Sequence, residues 1–139
     1  MAGRLAWNGC VVSVRCLVVD DNPDFLQAAL RVLESGGITV VGATSSSAEA
    51  LLRAKESNPD VMLVDIVLGA ESGFDLARKL TTATGPRRAA VILISTYSEE
   101  DFMDLIVASP AIGFLPKGKL SARAIEDLLG EREEGGKRS

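Results

Sequence analysis

The chain has 139 residues, of which 47% are hydrophobic and 24% are charged, as in a single globular domain with its own core. Fifteen basic and 19 acidic residues leave a formal net charge of −4, which argues against direct binding to nucleic acid, because such binding normally uses a basic face. Histidine is absent, and this excludes Ser-His-Asp hydrolases, Cys-His proteases and most zinc enzymes.

The sequence carries no sign of export or of membrane insertion. No apolar run reaches the ~18 residues that span a bilayer, and residues 1–13 lack the apolar core of a signal peptide. The two cysteines, Cys10 and Cys16, fit reduced thiols better than a disulfide framework or a zinc site. We therefore expect a soluble, cytoplasmic protein without a membrane partner.

Five short runs of apolar residues, rich in Val and Ile, follow one another along the chain. Most are continuously apolar, which is typical of strands buried on both faces of a parallel sheet. The runs are Cys16–Val19, Ile38–Val41, Val61–Val64, Val91–Ile94 and Gly113–Leu115. Between them, apolar residues recur at the three- and four-residue spacing of amphipathic helices. This alternation predicts an α/β fold, a doubly wound five-stranded parallel sheet with helices on both faces.

Residues with a preference for helix ends mark the boundaries of the predicted helices. The expected N-caps are Asn22, Ser46, Ser98 and Ser121. Glycines at Gly36-Gly37 and Gly130 predict helix ends. We expect an N-terminal extension over residues 1–13, the folded domain over 14–130 and a flexible tail over 131–139.

Polar side chains follow the apolar runs at the edge where an open parallel sheet binds its ligands. Asp20 and Asp21 follow the first run, Asp65 the third, Ser95 the fourth, and Lys117 comes soon after the fifth. Three carboxylates repel one another, and Mg²⁺, which prefers oxygen ligands, would offset that repulsion. One carboxylate can act as a nucleophile that forms an aspartyl phosphate. Lys117 would then balance phosphoryl charge, and the Ser95 hydroxyl would donate to a phosphoryl oxygen.

These residues carry a family resemblance. Over residues 14–130 the chain resembles the receiver domain of bacterial two-component response regulators. The matching stretches are Leu17–Asn22, Val61–Ile66, Ser72–Leu76, Ile92–Ser95 and Gly113–Lys117. The resemblance implies a flavodoxin-like sheet with the strand order 2-1-3-4-5.

The resemblance also implies the roles of the acidic residues. Asp65 falls on the phosphoacceptor, which also binds the metal ion, and Asp21 falls on a direct Mg²⁺ ligand. Asp20 falls on the acidic neighbour that works through metal-bound water. Val67, two residues after Asp65, would offer its backbone carbonyl to the metal.

Further residues match the switch of the family. Ser95 falls on the switch hydroxyl, Lys117 on the lysine that pairs with the phosphoryl group, and Phe114 on the switch aromatic, here without a tyrosine hydroxyl. The implied donor is a sensor histidine kinase or a phosphotransfer protein. The implied output is a downstream protein partner or self-association through the fourth helix, fifth strand and fifth helix. Such a protein is no enzyme in the usual sense, although it catalyses its own phosphoryl transfer and slow autodephosphorylation.

Two other functions stay open on this fold. A flavin- or nucleotide-binding carrier would use the small, hydroxyl-rich segment 42–47, but two aspartates follow the first strand, where its phosphate loop belongs. A metal-dependent phosphatase would want Asp-x-Asp after that strand, whereas Asp20 and Asp21 are adjacent. The residues fit a single-domain regulator and equally a piece of a longer regulator with a DNA-binding domain.

Overall fold

A five-stranded parallel sheet forms the centre of the protein. The structure is a computed structural model that describes residues 4–7, 10–83 and 89–138, and the side chains of residues 14–81 and 89–130. The strands are β1 (Arg15–Val19), β2 (Thr39–Thr44), β3 (Val61–Asp65), β4 (Ala90–Ser95) and β5 (Gly113–Pro116). They pair in parallel in the order 2-1-3-4-5. The predicted fold class and strand order are confirmed.

Helices cover both faces of this sheet. They are α1 (Pro23–Ser35), α2 (Ser47–Ser57), α3 (Gly73–Ala83), α4 (Met103–Ala108) and α5 (Ala122–Arg138). Successive strand residues point to opposite faces. Leu17 and Val19 therefore pack with α2 and α3, while Cys16 and Val18 pack with α1 and α5. Cys16 is a free thiol, and burial raises its pKa to about 12. None of the helices described is long and apolar enough to cross a membrane.

Two short antiparallel pairs lie outside the central sheet. Arg4–Trp7 pairs with Cys10–Ser13, so part of the predicted N-terminal extension has strand structure. Val67–Leu68 pairs with Glu71–Ser72, directly after β3, and we call this segment the 67–72 hairpin. The first pair precedes the domain, and the second lies beside the cluster of carboxylates described below.

Local hydrogen bonds explain why most helices begin where the sequence predicts. The Asn22 side chain accepts hydrogen bonds from the backbone of Asp24 and Phe25 at 2.9 and 3.3 Å. Ser46 Oγ accepts from Glu49 N at 3.2 Å, and Ser121 Oγ accepts from Ala124 N at 3.0 Å. These three N-caps are confirmed. α1 ends at Ser35, as the following glycine pair predicts.

One predicted helix start is confirmed only in part, and one predicted helix end is wrong. Ser98 occupies the N-cap position of a helical segment, but that segment is a 3₁₀ turn, Glu99–Phe102, which precedes the six-residue α4. The Ser98 hydroxyl donates to Asp101 Oδ2 at 3.1 Å instead of capping the backbone. Gly130 does not end α5, which continues to Arg138. A glycine inside a helix costs only about 1 kcal/mol, and the four residues directly after Gly130 are all Glu or Arg, which favour helix.

Gly73, the first residue of α3, lets that helix start against the end of β3. A Cβ atom on Gly73 would lie 2.0 Å from the carbonyl oxygen of Asp65 and 2.8 Å from Ile66 Cα. Its amide donates to the Ile66 carbonyl at 2.7 Å. Because Gly73 has no side chain, the chain can turn back in close contact with the backbone of Asp65.

We expect Gly73→Ala to lower the free energy of unfolding by at least about 1–3 kcal/mol, the usual range for overpacking a core. Gly118→Ala is the matched control, because nothing lies within 4 Å of a Cβ at Gly118. The control should change stability by less than ~0.5 kcal/mol. Urea denaturation of both variants measures this difference, and equal stability of the two would contradict the packing described.

Candidate functional site

Three carboxylates meet at the carboxyl ends of β1 and β3. One oxygen each from Asp20, Asp21 and Asp65 lies within 4.8 Å of the others. Asp20 is fully buried and Asp65 is 6% exposed, whereas Asp21 faces solvent. The strands deliver these side chains to one edge because the sheet is parallel and the order places β1 beside β3. The sequence-based expectation of a carboxylate cluster is met.

The ammonium of Lys117 bridges two of these carboxylates. Its Nζ lies 2.6 Å from Asp20 Oδ2 and 2.9 Å from Asp65 Oδ2. The same Nζ lies 4.6 Å from the ring centroid of Phe25, a cation–π contact. Lys117 reaches this position because β5 ends at Pro116, one residue earlier. The Phe25 contact was not predicted, since it joins two residues that are 92 positions apart in the sequence.

The backbone holds the other oxygens of the two buried carboxylates. Asp20 Oδ1 accepts from Asn22 N at 2.8 Å, and Asp65 Oδ1 accepts from Val67 N at 3.0 Å. Asp20 Oδ2 lies 2.6 Å from the Lys117 ammonium, so this buried oxygen is paired with a cation.

Burial and charge set the protonation behaviour of the pair. Burial raises the pKa of Asp65 above its ordinary value, and the hydrogen bonds from Val67 N and Lys117 only partly oppose this shift. Burial also disfavours the charged form of Lys117, but its contacts with Asp20 and Asp65 outweigh burial and raise the pKa of the ammonium. Lys117 is therefore a cation at neutral pH.

The donor set fits a divalent metal ion. When all are ionised, the three carboxylates and the one ammonium leave two negative charges uncompensated. All donors are hard oxygens, the kind that Mg²⁺ binds. A Cβ on Gly69, where φ is +57°, would lie 3.5 Å from Asp21 Oδ2, so the tip of the 67–72 hairpin lies against this cluster. The site thus has the charge and ligand type for Mg²⁺.

Ser95 on β4 and Phe114 on β5 make their contacts outside the carboxylate cluster. Ser95 ends β4, is 1% exposed, and its Oγ accepts from Tyr97 N at 2.9 Å. Among the described side chains, no hydrogen bond joins Ser95 to Asp65 or Lys117. The ring of Phe114 is buried in the core on the α2–α3 face. The Ser95 hydroxyl hydrogen is therefore free to find another acceptor.

Three aromatic rings connect the Ser95 loop to α3. Tyr97 meets Phe102 edge-on with centroids 5.9 Å apart, and Phe102 packs on Phe74 at 6.2 Å. Phe102 lies in the 3₁₀ turn before α4, and Phe74 in the first turn of α3. Phe74 and Phe102 are 28 residues apart and Tyr97 and Phe102 are five apart, so helical or strand periodicity does not reveal these contacts. A movement of the Ser95 loop is thereby linked to α4.

The surface of α4 carries several exposed apolar side chains. Met103, Leu105 and Val107 are 42%, 52% and 75% exposed. Acidic residues of the preceding turn, Glu99–Phe102, border them. Several exposed apolar side chains close to acidic ones are typical of a surface that contacts another protein.

Comparison with known families agrees with this fold and site. The family model of the response regulator receiver domain matches residues 16–128. Response regulator GacA of Pseudomonas viridiflava is 30% identical over 116 residues, which are 83% of this chain and 53% of GacA. The chain spans about half the length of the first curated relatives that it matches.

Solved structures give the same result. The signal receiver domain of NarL from Mycobacterium tuberculosis superposes with a TM-score of 0.72 at 30% identity, covering 88% of this chain and 97% of that one. A Burkholderia pseudomallei response regulator, solved with a phosphorylated aspartic acid, calcium ion and citrate, has a TM-score of 0.70 at 25% identity, covering 91% and 75% of the two chains. The chain therefore belongs to the response regulator receiver domain family, the signalling domains of two-component systems.

Proposed function

We propose that the chain is a phosphorylation-dependent switch that accepts a phosphoryl group on Asp65 from a histidine kinase or a phosphotransfer protein. The observation that carries this proposal is the position of Lys117 Nζ, 2.9 Å from Asp65 Oδ2 inside the carboxylate cluster. A nucleophilic carboxylate, a fixed cation and a site for a metal ion are what phosphoryl transfer needs, and no imidazole base is required.

The phosphoryl transfer needs no reactant other than Asp65 and the phosphohistidine of the donor. An oxygen of Asp65 attacks the phosphorus of a phosphohistidine, forming a P–O bond as the P–N bond breaks. The electron pair of the broken bond stays on the imidazole nitrogen. The negative charge of the three carboxylates repels a phosphoryl group unless cations balance that charge. Lys117 supplies one such cation within reach of the Asp65 oxygen.

Mg²⁺ would supply the second positive charge and stabilise the charge on the phosphoryl oxygens. We propose that Asp21, Asp65 and the backbone carbonyl of Val67 would hold it, with Asp20 acting through bound water. Asp20 also keeps Lys117 in place through their 2.6 Å ion pair. In this assignment Asp20 has two roles: it positions Lys117, and it is the third carboxylate of the cluster.

The proposed switch uses Ser95 and Phe114. Ser95 Oγ already accepts from Tyr97 N, which leaves its hydroxyl hydrogen free to donate to a phosphoryl oxygen. A shift of Ser95 towards Asp65 would pull on Tyr97 and, through the ring contact, on Phe102. The inward ring of Phe114 is then stabilised in the space that Ser95 vacates.

We propose that the output surface is the face formed by α4, β5 and α5. The exposed Met103, Leu105 and Val107 support a protein partner or a second copy of the chain there. The net charge of −4 supports an output other than direct binding to nucleic acid. The proposed setting is the cytoplasm. A flavin or nucleotide carrier is not favoured, since Asp20 and Asp21 would repel a phosphate group that lacks a metal.

Asp65→Asn should abolish labelling by acetyl phosphate, because the amide is a far weaker nucleophile than the carboxylate. Intact-mass spectrometry with Mg²⁺ should add one phosphoryl group to the wild type and none to this variant. Asp75→Asn is the control, since Asp75 is exposed on α3 and pairs with Arg78. Labelling of Asp65→Asn at the wild-type rate would show that another residue is the acceptor.

Asp21→Ala should raise the Mg²⁺ concentration for half-maximal labelling at least about tenfold, because loss of a direct ligand costs no less than loss of an outer partner. The Asp75→Asn variant should keep the wild-type value. An unchanged Mg²⁺ requirement in Asp21→Ala would remove this residue from the metal site.

Phosphorylation should change amide hydrogen exchange mainly in residues 95–125, where Ser95, α4 and β5 lie. Ser95→Ala should still be phosphorylated but should lose most of this response, because the hydroxyl that contacts the phosphoryl group is gone. Changes confined to residues 20–60 in the wild type would contradict the proposed switch.

A further inference from the structure

Glu71 connects the loop after β3 to a different helix. Its Oε1 accepts a hydrogen bond from Ser47 N at 3.0 Å. Ser47 is the first residue of α2 and is 9% exposed, so its amide is largely shielded from water. The two residues are 24 positions apart, and none of the roles assigned above uses this contact.

The 67–72 hairpin is otherwise fastened near its base. Val67 N donates to Asp65 Oδ1, Ile66 N donates to Ile94 O at 3.0 Å, and Gly73 N donates to Ile66 O at 2.7 Å. These bonds run to β3, to β4 and within the loop itself. The bond to Ser47 is the one we find, within the residues described, that joins the hairpin to α2.

The hairpin tip lies where a movement would affect the metal site. Gly69, at the tip, is close to Asp21, since a Cβ there would lie 3.5 Å from Asp21 Oδ2. Glu71 pairs with Leu68 across the hairpin, so it lies two residues beyond that tip. Two contacts therefore set the position of the hairpin: the Glu71 carboxylate is held at α2, and Gly69 at the tip lies close to Asp21.

The start of α2 suits a carboxylate. The first amides of a helix have no partner within the helix, and the positive end of the helix dipole attracts an anion. Ser46 Oγ takes the amide of Glu49, which leaves the amide of Ser47 for Glu71. The contact therefore gives the shielded Ser47 amide a hydrogen-bond acceptor and places a carboxylate at the positive end of the helix dipole.

We propose that Glu71 is a positioning residue of the metal site, which holds the 67–72 hairpin so that the Val67 carbonyl and Asp21 stay in place for the ion. Glu71 touches neither the metal nor the phosphoryl group in this proposal. The inference rests on the function proposed above, because it assumes that Asp21, Asp65 and Val67 bind Mg²⁺. Loss of the hydrogen bond from Ser47 N would let the hairpin tip move, and metal-binding groups that are held less firmly bind Mg²⁺ with lower affinity.

The coupling must act in both directions. If the bond from Ser47 N to Glu71 strengthens Mg²⁺ binding, then bound Mg²⁺ must strengthen that bond by the same factor. Mg²⁺ should therefore slow hydrogen exchange of the Ser47 amide in the unphosphorylated wild type. A purely structural contact would leave this exchange rate independent of Mg²⁺.

The test compares Glu71→Ala, which removes the acceptor, with Glu71→Gln, which keeps an Oε1 acceptor but removes the charge. Mg²⁺ affinity is measured on the full unphosphorylated chain by NMR titration of backbone amides. Glu71→Ala should bind Mg²⁺ about tenfold more weakly, and Glu71→Gln within about twofold of the wild type. Glu56→Ala is the control, because Glu56 is an exposed carboxylate near the other end of α2.

The outcomes separate the two proposals. Wild-type affinity in Glu71→Ala, with a wild type that binds Mg²⁺, would overturn the role of Glu71 alone. Equal losses in Glu71→Ala and Glu71→Gln would also overturn it, since charge rather than the hydrogen bond would be responsible. A wild type that does not bind Mg²⁺ would instead overturn the metal-dependent function, and the role of Glu71 with it.

Discussion

The ion pair network of Lys117 with Asp20 and Asp65 is the interaction on which the site depends. A parallel sheet in the order 2-1-3-4-5 brings two acidic strand ends together, and a fully buried Asp20 beside Asp65 would be costly without a cation. The single ammonium lies within 2.9 Å of both carboxylates and is shielded by Phe25. Because one positive charge cannot balance three carboxylates, the cluster keeps a net negative charge that a divalent ion would balance.

The surroundings of Asp65 link this charge balance to distant parts of the chain. Gly73 brings α3 against the Asp65 carbonyl, and Val67 N holds one of its side-chain oxygens. Tyr97 ties Ser95 to Phe102 at the start of the α4 region. In the switch proposed above, a new charge on Asp65 would act on this packed network through direct contacts between side chains.

The sequence predicts the sheet and the cluster for physical reasons that do not depend on details of the turns. Val61–Val64 and Val91–Ile94 are continuously apolar because both of their faces are buried, and Asp65 must then emerge at the edge that binds ligands. The end of α5 and the 3₁₀ turn before α4 are not predicted, since Gly130 and Ser98 only favour a helix boundary at their positions and do not determine it. The contacts of Phe25 with Lys117 and of Glu71 with Ser47 are missed because they depend on how loops far apart in sequence meet.

The central claim is that Asp65, Lys117 and Ser95 form one phosphoryl site around a metal ion. The most direct measurement is a crystal structure of the chain with Mg²⁺ and beryllium fluoride, which imitates a phosphoryl group on a carboxylate. The account predicts beryllium bonded to an Asp65 oxygen, Lys117 and the Ser95 hydroxyl on its fluorides, and Mg²⁺ on Asp21, Asp65 and the Val67 carbonyl. Beryllium fluoride on another residue, or a metal ion bound away from these three ligands, would contradict it.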